Sequence, residues 1–280
     1  MVSSRTAGPA QPRADFTIDQ EWEAYTADEH GIWRALFDRQ ARLLRDRATP
    51  EFLDGVRALD IAAEGIPDFR RLNEILGRVT GWRVVAVPGL VPDNIFFEHL
   101  AARRFPSTCF IRRPEQMEYL PEPDIFHDVF GHVPLLINPV FADYMEAYGN
   151  GGLKALSLGS LHYLARLYWY TVEFGLIRGA DGMRIYGAGI LSSKGESIFS
   201  LDDPAPNRIA FDLVRVMRTD YRIDDYQETY FVIDSFERLF RETAPDFTPI
   251  YARLKGAEDL RPGKVLPDDR VIHRGTGRLH

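Results

Sequence analysis

The chain has a single cysteine in 280 residues, Cys109 in "STCFIRR". One thiol excludes a disulfide framework within the chain and a cysteine-built zinc site. Nothing beside it would activate a thiol, so Cys109 reads as a small buried hydrophobe. Long apolar runs are also missing. No stretch reaches the roughly 18 apolar residues that a membrane helix requires. The opening "MVSSRTAGPAQPRAD" lacks the apolar run of a signal peptide. A soluble, cytoplasmic protein with no membrane partner is expected. An excess of positive charge is absent as well: 34 Lys and Arg face 41 Asp and Glu, a formal net charge of −7. The basic residues are scattered rather than bunched. Both facts argue against nucleic acid as a partner. Repeats and strong linkers do not occur between residues 15 and 260.

Hydrophobic residues make up 45% of the chain, enough for a sizeable core. Residues 1–14 are mostly small residues and proline and predict a disordered leader. Helical spacing begins soon after. "EHGIWRALFDRQARLLRD" sets Ile32, Leu36, Leu43 and Leu44 on one face. Thr49 followed by Pro50 marks the next helix start, and "DFRRLNEILGRV" repeats the pattern. "WRVVAVPGL" and "STCFIRR" predict strands, with a short helix capped by Asp93 between them. "NPVFADYMEAYG" is helical, and "SLHYLARLYWYTVEFGLI" predicts the most apolar, central helix. "MRIYGAGILSS" predicts a strand and a turn. "PNRIAFDLVRVMRTDY" and "TYFVIDSFERLFRETA" predict closing helices. Residues 261–280 predict a loosely held tail. The expected fold is a mostly α-helical α+β arrangement, a single catalytic domain over 15–260 with a few short strands.

Two of the seven histidines, His127 and His132, fall five positions apart in "PEPDIFHDVFGHVPLL". That spacing alone is a weak signal. Asp124 precedes His127 by one helical turn, where a carboxylate can accept the second imidazole N–H and fix the tautomer of a metal-bound histidine. On an unbroken α-helix, residues five apart diverge by about 140°. Gly131 and Pro134 predict that the helix stops here, so that both rings converge. The bland alternative is a pair of satisfied core histidines. Glu173 is the only acid in "RLYWYTVEFGLI", and an unpaired buried carboxylate is costly. It is the candidate third ligand, unless it pairs with Arg166 or Arg178. Two histidines and one carboxylate suit a non-haem Fe(II) oxygenase. They also suit a zinc hydrolase, though the spacing is not that of the His-Glu-x-x-His motif.

"PEPDIFHDVFGHVPLL", "YWYTVEFGL" and "YGAGILSSKGE", in this order, resemble the pterin-dependent aromatic amino acid hydroxylases. The similarity runs from about Trp33 to Tyr251 and is closest to the bacterial branch that acts on L-phenylalanine. The resemblance implies Fe(II) on His127, His132 and Glu173. It implies Arg112 on the substrate carboxylate, with Asp124 steadying Arg112. Tyr119, Trp169, Gly189 and Ser192 are implied as further substrate contacts. Phe96 is implied to stack on the tetrahydropterin, with Val91, Ala165 and Tyr168 beside it. Asp128 stands where animal members carry Glu near the pterin, and Leu120 where they carry Thr near the substrate. Ile223 is apolar where tyrosine-using members carry Asp, which favours a ring without a hydroxyl. The implied reaction takes L-phenylalanine, O₂ and a tetrahydropterin and gives L-tyrosine. The long N-terminal regulatory region and C-terminal oligomerisation helix of animal members are not in the sequence, which implies a monomer. Tyrosine or tryptophan hydroxylation within the family, a zinc hydrolase and a non-enzymatic pterin- or amino-acid-binding protein are the alternatives.

Overall fold

The computed structural model describes residues 11–277 apart from Tyr119. Residues 1–10 of the expected leader lie outside the described residues.

Helix α1 (Ala27–Leu44) starts in a capping box between Thr26 and Glu29. Helix α2 (Pro50–Ala58) follows Thr49 with Pro50 in its first turn. Helix α3 (Phe69–Val79) is capped by Asp68. Strand β1 (Arg83–Val87), helix α4 (Asp93–Ala101) and strand β2 (Arg104–Thr108) come next. The chain then passes through the histidine segment into α5 (Pro139–Ser157) and α6 (Leu161–Tyr168). The remaining elements are β3 (Leu176–Gly179), β4 (Gly182–Ile185), α7 (Ala188–Leu191), α8 (Lys194–Asp202) and β5 (Asn207–Ala210). After them come α9 (Leu213–Met217), β6 (Thr229–Ile233), α10 (Phe236–Thr243), α11 (Thr248–Leu254) and β7 (Val271–His273). Strands β1 and β2 form a parallel pair, and the others form a five-stranded sheet in the order β4-β3-β6-β5-β7. The architecture is the mostly helical α+β fold expected.

An aromatic cluster supports the histidine segment from below. Phe126 stacks on Phe130 at 4.8 Å, and Trp33 from α1 and Phe52 from α2 meet these rings edge-on at 5.2 Å and 5.5 Å. Helix α4 lies hard against α5. A Cβ at Gly149 would sit 2.3 Å from the backbone nitrogen of Ala101, so only glycine allows this approach.

Several elements differ from expectation. The second strand begins at Arg104 rather than Ser107 and includes Pro106. A two-stranded sheet leaves each strand a free edge, which tolerates a proline. Asp93 is the first residue of α4, after Pro92, and not its cap. The central helix ends at Glu173, because Gly175 turns the chain into β3; a Cβ there would lie 2.3 Å from the Thr171 carbonyl oxygen. The two closing helices each begin as a strand, β5 and β6, whose every residue is buried. Strands buried on both faces show no alternation, so an apolar run was legible but its type was not. The stretch from Arg261 is not a loose tail in the structure. Strand β7 pairs antiparallel with β5, and Asp269 makes a buried ion pair with Arg215 at 2.9 Å.

Candidate active site

Phe126–His132 is a π-helical segment, followed directly by a 3₁₀ turn over Val133–Ile137. Its ring closure is i→i+5, so residues five apart lie nearly above one another. The two imidazoles converge because the helix widens, not because it stops as expected. The rings stand 82° apart in plane, and their Nε2 atoms are 3.2 Å apart. The third residue arises from a second π-helical segment, Trp169–Glu173, which continues α6. One Glu173 carboxylate oxygen lies 3.1 Å from His132 Nε2, and the other lies 3.6 Å from His127 Nε2. All three ligand atoms fall within 4.8 Å of one another. This is the one three-residue cluster of metal-ligand type among the described residues.

Donors about 2.1 Å from a metal stand roughly 3.0 Å apart at right angles and roughly 3.4 Å apart at tetrahedral angles. The imidazole separation of 3.2 Å and the 3.1 Å from His132 to its Glu173 oxygen fall in this range, with the second Glu173 oxygen 3.6 Å from His127.

The tautomer of His127 follows from Ser192. The Ser192 hydroxyl donates to the Ala188 carbonyl at 2.8 Å, so its oxygen accepts from His127 Nδ1–H at 2.9 Å. Nε2 is then the bare, ligating nitrogen. Burial pushes the His127 pKa down to about 4 and keeps the ring neutral at physiological pH. Burial works against ionisation of Glu173, but His132, His127 and the Gly189 backbone N–H outweigh it and bring its pKa below the usual value. Glu173 is therefore an anion facing the neutral His127 imidazole.

Asp124 meets one of its two expectations: it steadies Arg112 and leaves the imidazole alone. Its carboxylate does not touch the imidazole. It accepts the Arg112 Nε–H and NH2 hydrogens at 2.8 Å each, the Arg112 backbone N–H at 2.9 Å and the His127 backbone N–H at 3.0 Å. The pair is buried, and although burial opposes ionisation, the Arg112 guanidinium holds the Asp124 pKa below its ordinary value. Two of the five guanidinium N–H groups are used in this clamp. Asp124 thus fixes both the arginine and the first turn of the histidine segment.

A cleft of about 630 Å³ opens beside the triad. His127, Glu173, Arg112, Trp169, Gly189, Ser192 and Ile223 all line it. Tyr119 lies outside the described residues. Trp169 is stacked against Tyr221 at 4.3 Å, with Phe174 at 4.8 Å. Ile223 is 74% exposed at the cleft mouth and is not a closed apolar wall in this structure. The glycines after β4 serve a close approach of two backbone segments. A Cβ on Gly187 would lie 2.4 Å from the Glu173 carbonyl oxygen, and one on Gly189 would lie 3.1 Å from it. These glycines admit the backbone of Glu173, not a ligand, although Gly189 still faces the cleft.

The residues expected beside a pterin lie apart from this cleft. Tyr168 meets His132 at 6.3 Å and Phe96 edge-on at 5.9 Å, so these rings flank the triad from the α4–α6 side. Val91 and Ala165 are half-buried on the loop before α4 and on α6. Asp128 points elsewhere. It accepts the Thr108 backbone N–H and hydroxyl at 2.8 and 3.0 Å, and burial raises its pKa to about 7.

Phe174, Glu196 and Gln227 are among the cleft residues not singled out from the sequence. Glu196 follows Ser193 by three, and so reads as the acid of a helix capping box. In the fold it turns inward to accept from the Tyr230 hydroxyl, and burial raises its pKa to about 7.

The fold and the two-histidine, one-carboxylate centre define a class. The profile of the biopterin-dependent aromatic amino acid hydroxylases matches residues 19–249, and the chain belongs to that family. Among relatives, it is 62% identical to a phenylalanine-4-hydroxylase of Ralstonia nicotianae over 264 residues, 94% of this chain and 84% of that one. It is similar to a crystal structure of Chromobacterium violaceum phenylalanine hydroxylase bound to iron and phenylalanine. That likeness has a TM-score of 0.90 and 59% identity, and covers 93% of this chain and 96% of the other. A second structure of the same protein, holding iron(III) and oxidised 7,8-dihydrobiopterin, matches with a TM-score of 0.90 and 59% identity over 93% and 94% of the two chains.

Proposed function

We propose that this chain hydroxylates L-phenylalanine to L-tyrosine, with His127, His132 and Glu173 holding Fe(II) and a tetrahydropterin bound on the Phe96–Tyr168 side. The observation that carries the reading is the convergence of those three side chains on a cleft that also presents Arg112 and Trp169. Fe(II) and the tetrahydropterin together supply O₂ activation, the pterin giving two electrons while one oxygen atom enters the ring and the other is reduced.

The chain's own residues then bind and orient. Arg112, steadied by Asp124, takes the substrate carboxylate through its remaining N–H groups. Trp169 offers a flat face to the aromatic ring, with Gly189 and Ser192 opposite and Tyr119 as a further contact. Val91, Phe96, Ala165 and Tyr168 make up the pterin side, and Asp128 reaches it only indirectly, through Thr108. Ile223, exposed on the mouth loop, offers a hydroxylated ring no polar partner, which favours phenylalanine over tyrosine. Ser192 holds His127 in the ligating tautomer. A single carboxylate ligand leaves the metal centre with a net positive charge.

A zinc hydrolase would need a carboxylate base beside the metal. The acid between the histidines, Asp128, is engaged by Thr108 instead. The reading includes a monomer in the cytoplasm, with O₂ as co-substrate and neither membrane nor nucleic acid as partner. The net charge of −7 supports the last point, as does the lack of any membrane-crossing helix among the described residues.

The test is tyrosine formation from phenylalanine by the iron-loaded chain, omitting Fe(II), tetrahydropterin and O₂ in turn. Tyrosine that requires all three is expected. No turnover in the complete mixture would overturn the reading.

A further inference from the structure

Trp169 lines the cleft together with Arg112, and its indole is tied down by a buried side chain. Its Nε1–H donates to the side-chain oxygen of Gln227 at 2.9 Å. Gln227 is 2% exposed, and its amide nitrogen donates to the carbonyl oxygens of Arg222 at 2.9 Å and Asp225 at 3.4 Å. Its backbone N–H faces the Glu196 carboxyl at 3.4 Å. One buried amide thus meets the indole on one side and both ends of the 222–225 stretch on the other. Tyr221, on the near flank of that stretch, stacks on the indole face.

The tip itself has little else to hold it. Ile223 projects into solvent, and among the described residues the Arg222 guanidinium pairs with Asp224 and Asp225 of the same loop. Tyr226 anchors the far flank by packing on Phe199 at 4.7 Å.

We propose that Gln227 is a positioning residue that holds the Trp169 indole and the 222–226 mouth loop in one fixed relation, and so sets how tightly the cleft binds its aromatic substrate. The inference rests on the function proposed above for the identity of that substrate. Gln227 borders the cleft but is not one of the three clustered metal-ligand side chains, and its amide is spent on the indole and the loop. It acts through Trp169 and through two loop carbonyls, which no other side chain among the described residues meets.

The two halves of the tie can be separated. Gln227→Leu removes both. Gln227→Glu keeps an acceptor for the indole but sets a carboxylate against the Arg222 and Asp225 carbonyls, so it releases the loop alone. Two readouts apply to the iron-loaded chain. The first is the split between KM and kcat. Gln227→Leu is expected to raise KM for L-phenylalanine about tenfold with kcat within about twofold, the pattern of lost uniform binding. The second needs no turnover: the Trp169 indole N–H resonance, assigned through Trp169→Phe, and amide hydrogen exchange over 222–226. Gln227→Leu should shift the indole signal and speed loop exchange, whereas Gln227→Glu should speed loop exchange and leave the indole signal near its wild-type position. An unmoved indole signal together with unchanged loop exchange in Gln227→Leu would overturn the proposal. So would a KM equal to wild type in either variant. If Gln227→Leu does not fold, the isosteric Gln227→Glu decides by loop exchange and KM. A wild-type chain that makes no tyrosine defeats the functional reading, while the resonance and exchange still judge the tie.

Discussion

Ser192 decides which nitrogen of His127 is free, and it does so with one hydroxyl proton already committed to Ala188. Removing the hydroxyl frees the ring to rotate or change tautomer. Ser192→Ala is therefore expected to weaken Fe(II) affinity about tenfold to a hundredfold in a metal titration; unchanged affinity would take Ser192 out of the metal's support. Glu196 gives a second residue-scale test. Its folded pKa is raised to about 7 by burial, from an ordinary value of 4.5. A raised carboxyl contributes stability that is full below pH 4.5 and is lost as pH rises through about 7. Glu196→Gln should therefore gain stability relative to wild type across that window and run parallel to it above. Thermal melts of the two proteins between pH 4.5 and 8 check this, and a constant difference would contradict it. The three side chains that cluster were legible in the sequence because histidine and glutamate stand out in apolar runs. Gln227 was not, because its partner Trp169 lies 58 positions away and nothing local marks the pair.

At the scale of elements, the decisive feature is the widened helix. The sequence suggested that something must break the 3.6-residue repeat between His127 and His132, and pointed to Gly131 and Pro134 as the cause. The structure reaches convergence by a π segment instead, and uses a second one to bring up Glu173. Local spacing cannot distinguish the two, since an i→i+5 turn depends on the packing that surrounds it. Gly187 is part of that packing. Gly187→Ala would drive a methyl to 2.4 Å from the backbone of both Glu173 and Gly175. A loss of about 1–3 kcal/mol of stability is expected, with weakened iron binding because Glu173 must move. Denaturant melts and a metal titration measure the two effects, and a variant that matches wild type in both would show that this approach is not needed. Helices with a clear apolar stripe, such as α1 and α3, were readable. Strands β5 and β6 were not, because buried parallel strands share a helix's continuous apolar look.

For the whole molecule, the sheet closes late. Its outer strand comes from residues 271–273, beyond the stretch expected to finish the domain. The sequence there is charged and rich in Gly and Pro, which reads as a tail; only the fold reveals that Asp269 has a buried partner in Arg215 on α9. Breaking a buried pair from one side leaves an uncompensated charge. Asp269→Ala is expected to cost about 3–5 kcal/mol in a denaturant melt, and a loss under ~1 kcal/mol would mean that the C-terminal stretch is dispensable. Fold class, family and the clustering of His127, His132 and Glu173 were legible because a few rare residues and three motifs carry them. What stayed hidden were the contacts that join distant segments around the cleft.

The central claim is that this centre moves an oxygen atom from O₂ onto an aromatic ring. Mass spectrometry of the product formed under ¹⁸O₂ tests it most directly. The account predicts tyrosine that carries one ¹⁸O atom in its ring hydroxyl, formed by wild type and lost with Glu173→Ala. Product oxygen drawn from water, or labelled tyrosine made undiminished by Glu173→Ala, would contradict it.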